Sequence, residues 1–204
     1  TEKNDNIITI DPTFAMVDIY SKIKKVKQIK IKYNPKLDLD YKKLFETIKN
    51  KKISLIILAN PNSPTGTIIP KKIIFKILKS CQRKNIAVLI DEAYFGFYKF
   101  SMVPYVNKYS NLIVCRTFSK AYGLAGCRVG FLAANKDLAQ RLYNLRPMYE
   151  INSLGVMIVS EILKKNTFII KNLKEQLRGK KYLLKELKKL KLQYLDGHAN
   201  FIHI

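Results

Sequence analysis

The chain has 204 residues, 48% hydrophobic and 11% aromatic, which suffices to bury one domain, or one domain with part of a second, and argues against disorder. A formal charge of +23 invites a nucleic-acid reading, yet only six of the 38 basic residues are arginine, and lysines are spread over nearly every polar face, so no nucleic-acid partner is expected. Two histidines and three cysteines without CxxC spacing argue for free thiols and no metal site, and no apolar run approaches the roughly 20 residues of a membrane span, so we expect a cytoplasmic protein with no membrane partner.

In chain order, residues 7–10 read as a strand, 14–24 as a helix, 26–33 as an alternating strand and 41–50 as a helix. Short apolar runs bounded by turn residues follow at 54–58, 86–90, 112–115 and 129–133. Between the first two, Pro70 precedes residues 71–84, where Ile73, Ile74, Ile77, Leu78 and Cys81 line one helical face; proline at a helix start loses no needed hydrogen bond. This alternation predicts an α/β fold, a mostly parallel sheet flanked by helices. Helices are expected at 137–144 and 154–165 and over the lysine-rich 164–191. In the last of these Phe168, Ile169, Leu173, Leu177, Leu184, Leu187 and Leu190 recur near the helical period, leaving the lysines on the wet side. Residues 192–195 and 200–204 read as a closing strand pair around Gly197. Turn residues at 147–152 place the domain boundary, giving a domain over 1–150 and connecting helices with the start of a smaller unit over 151–204. The sequence starts without methionine and stops inside a strand, so we expect truncation at both ends.

Three polar clusters fall at predicted strand ends, where ligands sit in open α/β sheets. In Asn60-Pro61-Asn62-Ser63-Pro64-Thr65-Gly66, two prolines and a glycine fix a sharp loop that can turn short polar side chains toward a ligand. Asp91-Glu92-Ala93-Tyr94 follows an apolar run, where a carboxylate is costly to bury unless a cation, such as a protonated pyridine nitrogen, pairs with it. Thr117-Phe118-Ser119-Lys120 is followed by Gly123, Gly126 and Arg128: hydroxyls and a guanidinium suit a phosphate dianion, and the lysine amine can bond a carbonyl carbon. Together these meet the needs of pyridoxal 5′-phosphate. Asp91 keeps the ring nitrogen protonated, Tyr94 reaches the phenolic oxygen, and Lys120 serves as Schiff-base anchor and general base.

The ordered run of Pro-Asn-Ser-Pro-Thr-Gly, Asp-Glu-Ala-Tyr and Thr-Phe-Ser-Lys-Ala-Tyr-Gly-Leu-Ala-Gly-Cys-Arg-Val-Gly closely resembles the class I/II aminotransferases of fold type I, and within them the histidinol-phosphate aminotransferases. The similarity extends from Pro12-Thr13-Phe14 to Ala199-Asn200-Phe201. It implies a pyridoxal-phosphate large domain with part of a small C-terminal α+β domain, a homodimer with active sites at the subunit interface, and amino transfer between glutamate and a keto or amino-alcohol phosphate such as histidinol phosphate. A threonine-phosphate decarboxylase-like lyase and an inactive or split aminotransferase fragment are the alternatives.

The resemblance gives Lys120 as the Schiff-base lysine, Asp91 as the pyridinium partner and Tyr94 as the partner of the phenolic oxygen. It assigns Thr117, Ser119 and Arg128 to the phosphate, and Phe14 to stacking on the ring. The family usually has asparagine where Ser63 stands, so either Ser63 or Asn62 takes its role as donor to the phenolic oxygen. The family's small-residue phosphate loop and its substrate-binding arginine fall outside residues 1–204. Arg146, Tyr149 and Asn152 lie in a segment similar to one near the family's active site, and a structural hinge explains them equally.

Overall fold

The computed structural model describes residues 1–204, apart from the side chain of Asn166. Strands β1 (Asn6–Asp11), β2 (Lys27–Lys32), β3 (Leu55–Ala59), β4 (Ala87–Asp91), β5 (Leu112–Thr117) and β6 (Gly130–Ala134) form one sheet in the order β2-β1-β3-β4-β5-β6. All neighbours are parallel except β6, which runs antiparallel to β5. The central strands β3 and β4 are almost continuously apolar, as strands covered on both faces must be, whereas β2 at one edge alternates Lys and Ile.

Helices α1 (Ala15–Ile23), α2 (Tyr41–Asn50) and α3 (Lys71–Gln82) connect the first strands. Asp40 caps α2 by accepting the Lys43 amide, and Pro70 stands at the start of α3 with no amide to orphan. Leu44 and Ile48 of α2 and Ile74, Ile77, Leu78 and Cys81 of α3 bury against Ile8, Ile56, Leu58, Val88 and Ile90 of the sheet to make the main core. Helix α4 (Lys136–Tyr143) follows β6, and α5 (Ser153–Leu163) and α6 (Asn166–Lys189) lead to a two-stranded antiparallel hairpin, β7 (Leu195–Asp196) with β8 (Ile202–His203). The hairpin strands are two residues each, shorter than the sequence suggests, because the intervening loop is taken up by docking. The His198 amide donates to Gly66 O at 2.7 Å, and Gly197 crosses Gly66 so closely that a Cβ on it would lie 2.6 Å from the Gly66 Cα.

Helix α6 departs from the expected pattern. Leu187 is 4% exposed and Ile169, Leu173 and Leu184 are half-buried, but Phe168, Leu177 and Leu190 face outward. The covered stripe runs through Asn172, Gln176 and Lys180 instead, because backbone carbonyls of neighbouring loops lie on that side. Lys180 is thus not on the wet side. Urea unfolding checks this assignment: Leu187→Ala should cost about 2–4 kcal/mol, whereas Leu177→Ala should cost less than about 1 kcal/mol.

Candidate active site

Because β1, β3, β4 and β5 are parallel neighbours, their carboxyl ends share one edge of the sheet. The strand order reverses between β1 and β3, the place in open α/β sheets where ligands bind at that edge. Thr13 and Phe14 follow β1, Asn60–Gly66 follows β3, Asp91 ends β4 and Thr117 ends β5. The antiparallel direction of β6 puts its first residue, Gly130, opposite Thr117, so Arg128 arrives at the same edge.

Asp91 sits at the centre, paired in register with Ala59 on one side and Cys115 on the other. Its Oδ1 accepts the Ala93 amide at 2.9 Å, and no cation pairs with the carboxylate among the described residues. Burial pushes its carboxyl above the ordinary range; the Ala93 amide pulls it down and the adjacent Glu92 carboxylate pushes it up. Tyr94 is 8% exposed and packs edge-on against Phe201, with ring centroids 5.4 Å apart. Lys120 is exposed, and its Nζ lies 5.5 Å from the Tyr94 ring centroid. Two lysine-loop bonds, Gly123 N to Lys120 O at 3.0 Å and Leu124 N to Phe118 O at 3.0 Å, shape the turn that carries it.

The phosphate candidates cluster. Thr117 Oγ1 donates to Ser119 Oγ at 2.9 Å and accepts the Ser119 amide at 3.1 Å, so the two hydroxyls lie side by side. Arg128 holds a left-handed backbone at φ 53° and donates from Nη1 to Ala125 O at 3.0 Å. Such a conformation costs a non-glycine residue roughly 1–2 kcal/mol, a strain typical of functional positions. These three residues line a cleft of about 740 Å³, together with Arg116, Tyr143 and Arg146. Asp91, Tyr94 and Lys120 do not line it.

The loop after β3 places the two candidates at residues 62 and 63 in different surroundings. Asn62 is wholly buried and its amide is used internally: Nδ2 donates to Pro12 O at 3.0 Å and Thr65 Oγ1 at 2.8 Å, and Oδ1 accepts from Thr13 Oγ1 at 2.9 Å. Ser63 is half-buried, and its hydroxyl makes no hydrogen bond among the described residues. Asn62 therefore ties the Thr13–Phe14 segment to the Pro64-Thr65-Gly66 turn. Phe14 itself is 51% exposed at the start of α1.

Several structural supports escape the motif reading. Glu92, 3% exposed, accepts from Ser101 Oγ at 2.8 Å and from Arg116 Nε at 3.0 Å, and Arg116 in turn stacks 3.4 Å from the Phe95 ring centroid. This buried, multiply bonded ion pair staples the loop after β4 to strand β5; a charge on each side of an apolar run was its only trace in the sequence. Asn152 caps α5 and donates to Cys127 O at 2.9 Å, buttressing the turn before Arg128. Arg146 pairs with Glu150 and stacks on Tyr143, while Tyr149 points outward.

The donor set fits a flat cationic ring with an anionic tail: a half-buried carboxylate without a cationic partner, a buried phenol beside a lysine, and paired hydroxyls next to an arginine. Since the folded-state pKa of Asp91 is raised, the native chain binds its proton more tightly than the unfolded chain does. Above both pKa values the buried carboxylate destabilises the fold; below the ordinary carboxylate range the difference vanishes. Asp91→Asn should therefore stabilise the cofactor-free protein at neutral pH, with a gain that shrinks as pH falls into the acid range, as followed by thermal unfolding across pH. Burial also pushes the Cys81 thiol up to about 12 and the Cys115 thiol up to about 11. Both should resist a thiol reagent at pH 8 in the folded protein and react on unfolding.

The model of the family described as aminotransferase class I and II matches residues 1–204. The histidinol-phosphate aminotransferase of Clostridium novyi is 39% identical over 204 residues, covering 100% of this chain and 56% of that protein. That of Caldanaerobacter subterraneus is 36% identical over 206 residues, covering 98% of this chain and 56% of its own length. The chain thus spans little more than half the length of these relatives. Among solved structures, the histidinol-phosphate aminotransferase from Clostridium acetobutylicum superposes with a TM-score of 0.86 at 26% identity, covering 98% of this chain and 61% of that one. The Sinorhizobium meliloti enzyme, solved in complex with pyridoxal-5′-phosphate, shares the fold with a TM-score of 0.87 at 21% identity, over 99% of this chain and 55% of that one. With the sheet, its site edge and a family match over every residue, this chain belongs to the class I and II aminotransferases.

Proposed function

We propose that this chain is the lysine-bearing, pyridoxal-phosphate-binding part of an aminotransferase that moves an amino group between glutamate and a keto or amino-alcohol phosphate such as histidinol phosphate. The convergence of Asp91, Tyr94, Lys120, Thr117, Ser119 and Arg128 at one sheet edge carries the reading. The names of relatives 36–39% identical to the chain supply the substrate class. When bound, the cofactor supplies a carbonyl carbon for the lysine amine and a protonated ring that accepts the electron pair left at the substrate α-carbon.

The protein's own part follows from its geometry. Asp91, half-buried and with no cationic partner among the described residues, holds the ring proton: a cation beside it removes the destabilisation that burial imposes. Tyr94 donates its phenol hydrogen to the phenolic oxygen, and Ser63, rather than the internally bonded Asn62, offers the second donor there. Thr117, Ser119 and Arg128 bind the phosphate through charge-assisted hydrogen bonds. Phe14 stacks on the ring face, and its exposure leaves it room to do so. Lys120 Nζ takes the proton from the substrate α-carbon and holds it for return.

The division into a large domain over 1–150 and connecting helices with part of a smaller domain over 151–204 belongs to this proposal. So does the homodimer, supported by the apolar surface of Leu145, Met148, Tyr149, Leu154 and Met157, which lies open on this chain. Unpaired Cys81, Cys115 and Cys127 favour a reducing, cytoplasmic setting.

Borohydride reduction of the protein mixed with pyridoxal phosphate, followed by peptide mass spectrometry, tests the reading: the adduct should sit on Lys120 and vanish in Lys120→Ala. Arg128→Ala should weaken pyridoxal-phosphate binding by roughly 10- to 100-fold in equilibrium dialysis, the range of a hydrogen bond to a charged group. An adduct on other lysines alone would sink the assignment.

A further inference from the structure

Helix α6 carries Asn172, Gln176 and Lys180 at i, i+4 and i+8, a spacing that sets three polar side chains in a row. Each reaches backbone near the site. Asn172 Nδ2 donates to Ala121 O at 2.7 Å. Gln176 Nε2 reaches Lys120 O at 3.5 Å, and its Oε1 accepts from Asn200 Nδ2 at 3.0 Å. Lys180 Nζ donates to Gly197 O at 2.6 Å and Ala199 O at 2.8 Å, and pairs with Asp196 at 2.6 Å. The side chain of Lys180 is only 11% exposed, which an ammonium tolerates when its donors are used in this way.

The helix lies close against both site loops. A Cβ on Gly123, at φ 69°, would fall 3.2 Å from Asn172 Nδ2, and one on Gly96, at φ 102°, would fall 3.2 Å from both δ carbons of Leu173. One turn of α6 therefore rests on the loop after Lys120 and on the loop after Tyr94. Two turns further on, Lys180 grips the hairpin whose His198 amide bonds Gly66 and whose Phe201 packs on Tyr94.

We propose that Asn172, Gln176 and Lys180 are positioning residues for Lys120. They fix the backbone at residues 120 and 121 from one side and hold the 196–200 loop, and with it the Tyr94 wall, from the other. A lysine carries its amine on a long flexible stem, so where the amine dwells depends on how firmly its Cα is held. The ladder holds that Cα without touching cofactor or substrate. The inference rests on the reading of Lys120 as the lysine that takes pyridoxal phosphate.

Asn172→Leu, which keeps the volume but removes the donor, tests it in the natural full-length protein. Hydrogen exchange at the Gly123 and Leu124 amides should accelerate roughly tenfold, the worth of about one lost hydrogen bond, with the β4 and β5 amides unchanged. Capture of pyridoxal phosphate at Lys120 by borohydride, normalised to the amount bound, should fall severalfold. Unchanged exchange at Gly123 and Leu124 would overturn the proposal, as would acceleration spread evenly through β4 and β5, which marks a general loss of stability. If Asn172→Leu does not fold, Gln176→Met is read by the same two measurements and the same criteria. A wild-type protein that yields no Lys120 adduct refutes the cofactor reading instead, and the exchange measurement still decides the ladder.

Discussion

Backbone register across three parallel strands, with Ala59 beside Asp91 and Asp91 beside Cys115, governs everything at the carboxyl edge of the sheet. Parallel pairing leaves no freedom to slide without moving a whole apolar strand face out of the core. The last residue of β4 is thereby placed between the loop after β3 and the strand that leads to Lys120. The price is a half-buried carboxylate without a cation, tolerated because Ile56, Leu58, Val88 and Ile90 bury fully in the same strands.

Polar contacts of long sequence separation then turn that edge into a shaped site. Asn62 binds the segment before Phe14, Glu92 and Arg116 join the loop after β4 to strand β5, and Asn152 supports the turn before Arg128. None of these side chains is needed as a ligand group in the proposed mechanism. Each fixes backbone that carries one, so the groups proposed to meet the cofactor are held by residues outside the proposed ligand set. The left-handed backbone of Arg128 shows that this support is strong enough to sustain local strain.

Most helix-forming and strand-forming segments of the sheet domain are legible to within a residue or two, whereas the closing strand pair is shorter than its sequence suggests. Continuous apolar runs at 54–58 and 86–90 and the face of Ile73, Ile74, Ile77, Leu78 and Cys81 carry their own periodicity, and the helix over 41–50 appears with the same bounds as α2. Motif order was equally legible, since Asp91 and Thr117 stand at strand ends and such ends converge in a parallel sheet. The stripe on α6 was read only in part, because periodicity counts apolar residues, and Asn172, Gln176 and Lys180 complete the covered face with polar ones.

By itself, then, the sequence determined the α/β class, the order of the three polar clusters and the family, because strand and helix periods and short motifs are encoded within a few residues of one another. Tertiary structure alone decided which polar groups are spent on the protein and which remain for a ligand. Asn62 is engaged because Pro12, 50 residues away in sequence, comes to lie beside it, and Lys180 is buried because the 197–199 carbonyls fold back over α6. A hydrogen bond depends on where its partner ends up, and no local pattern records that.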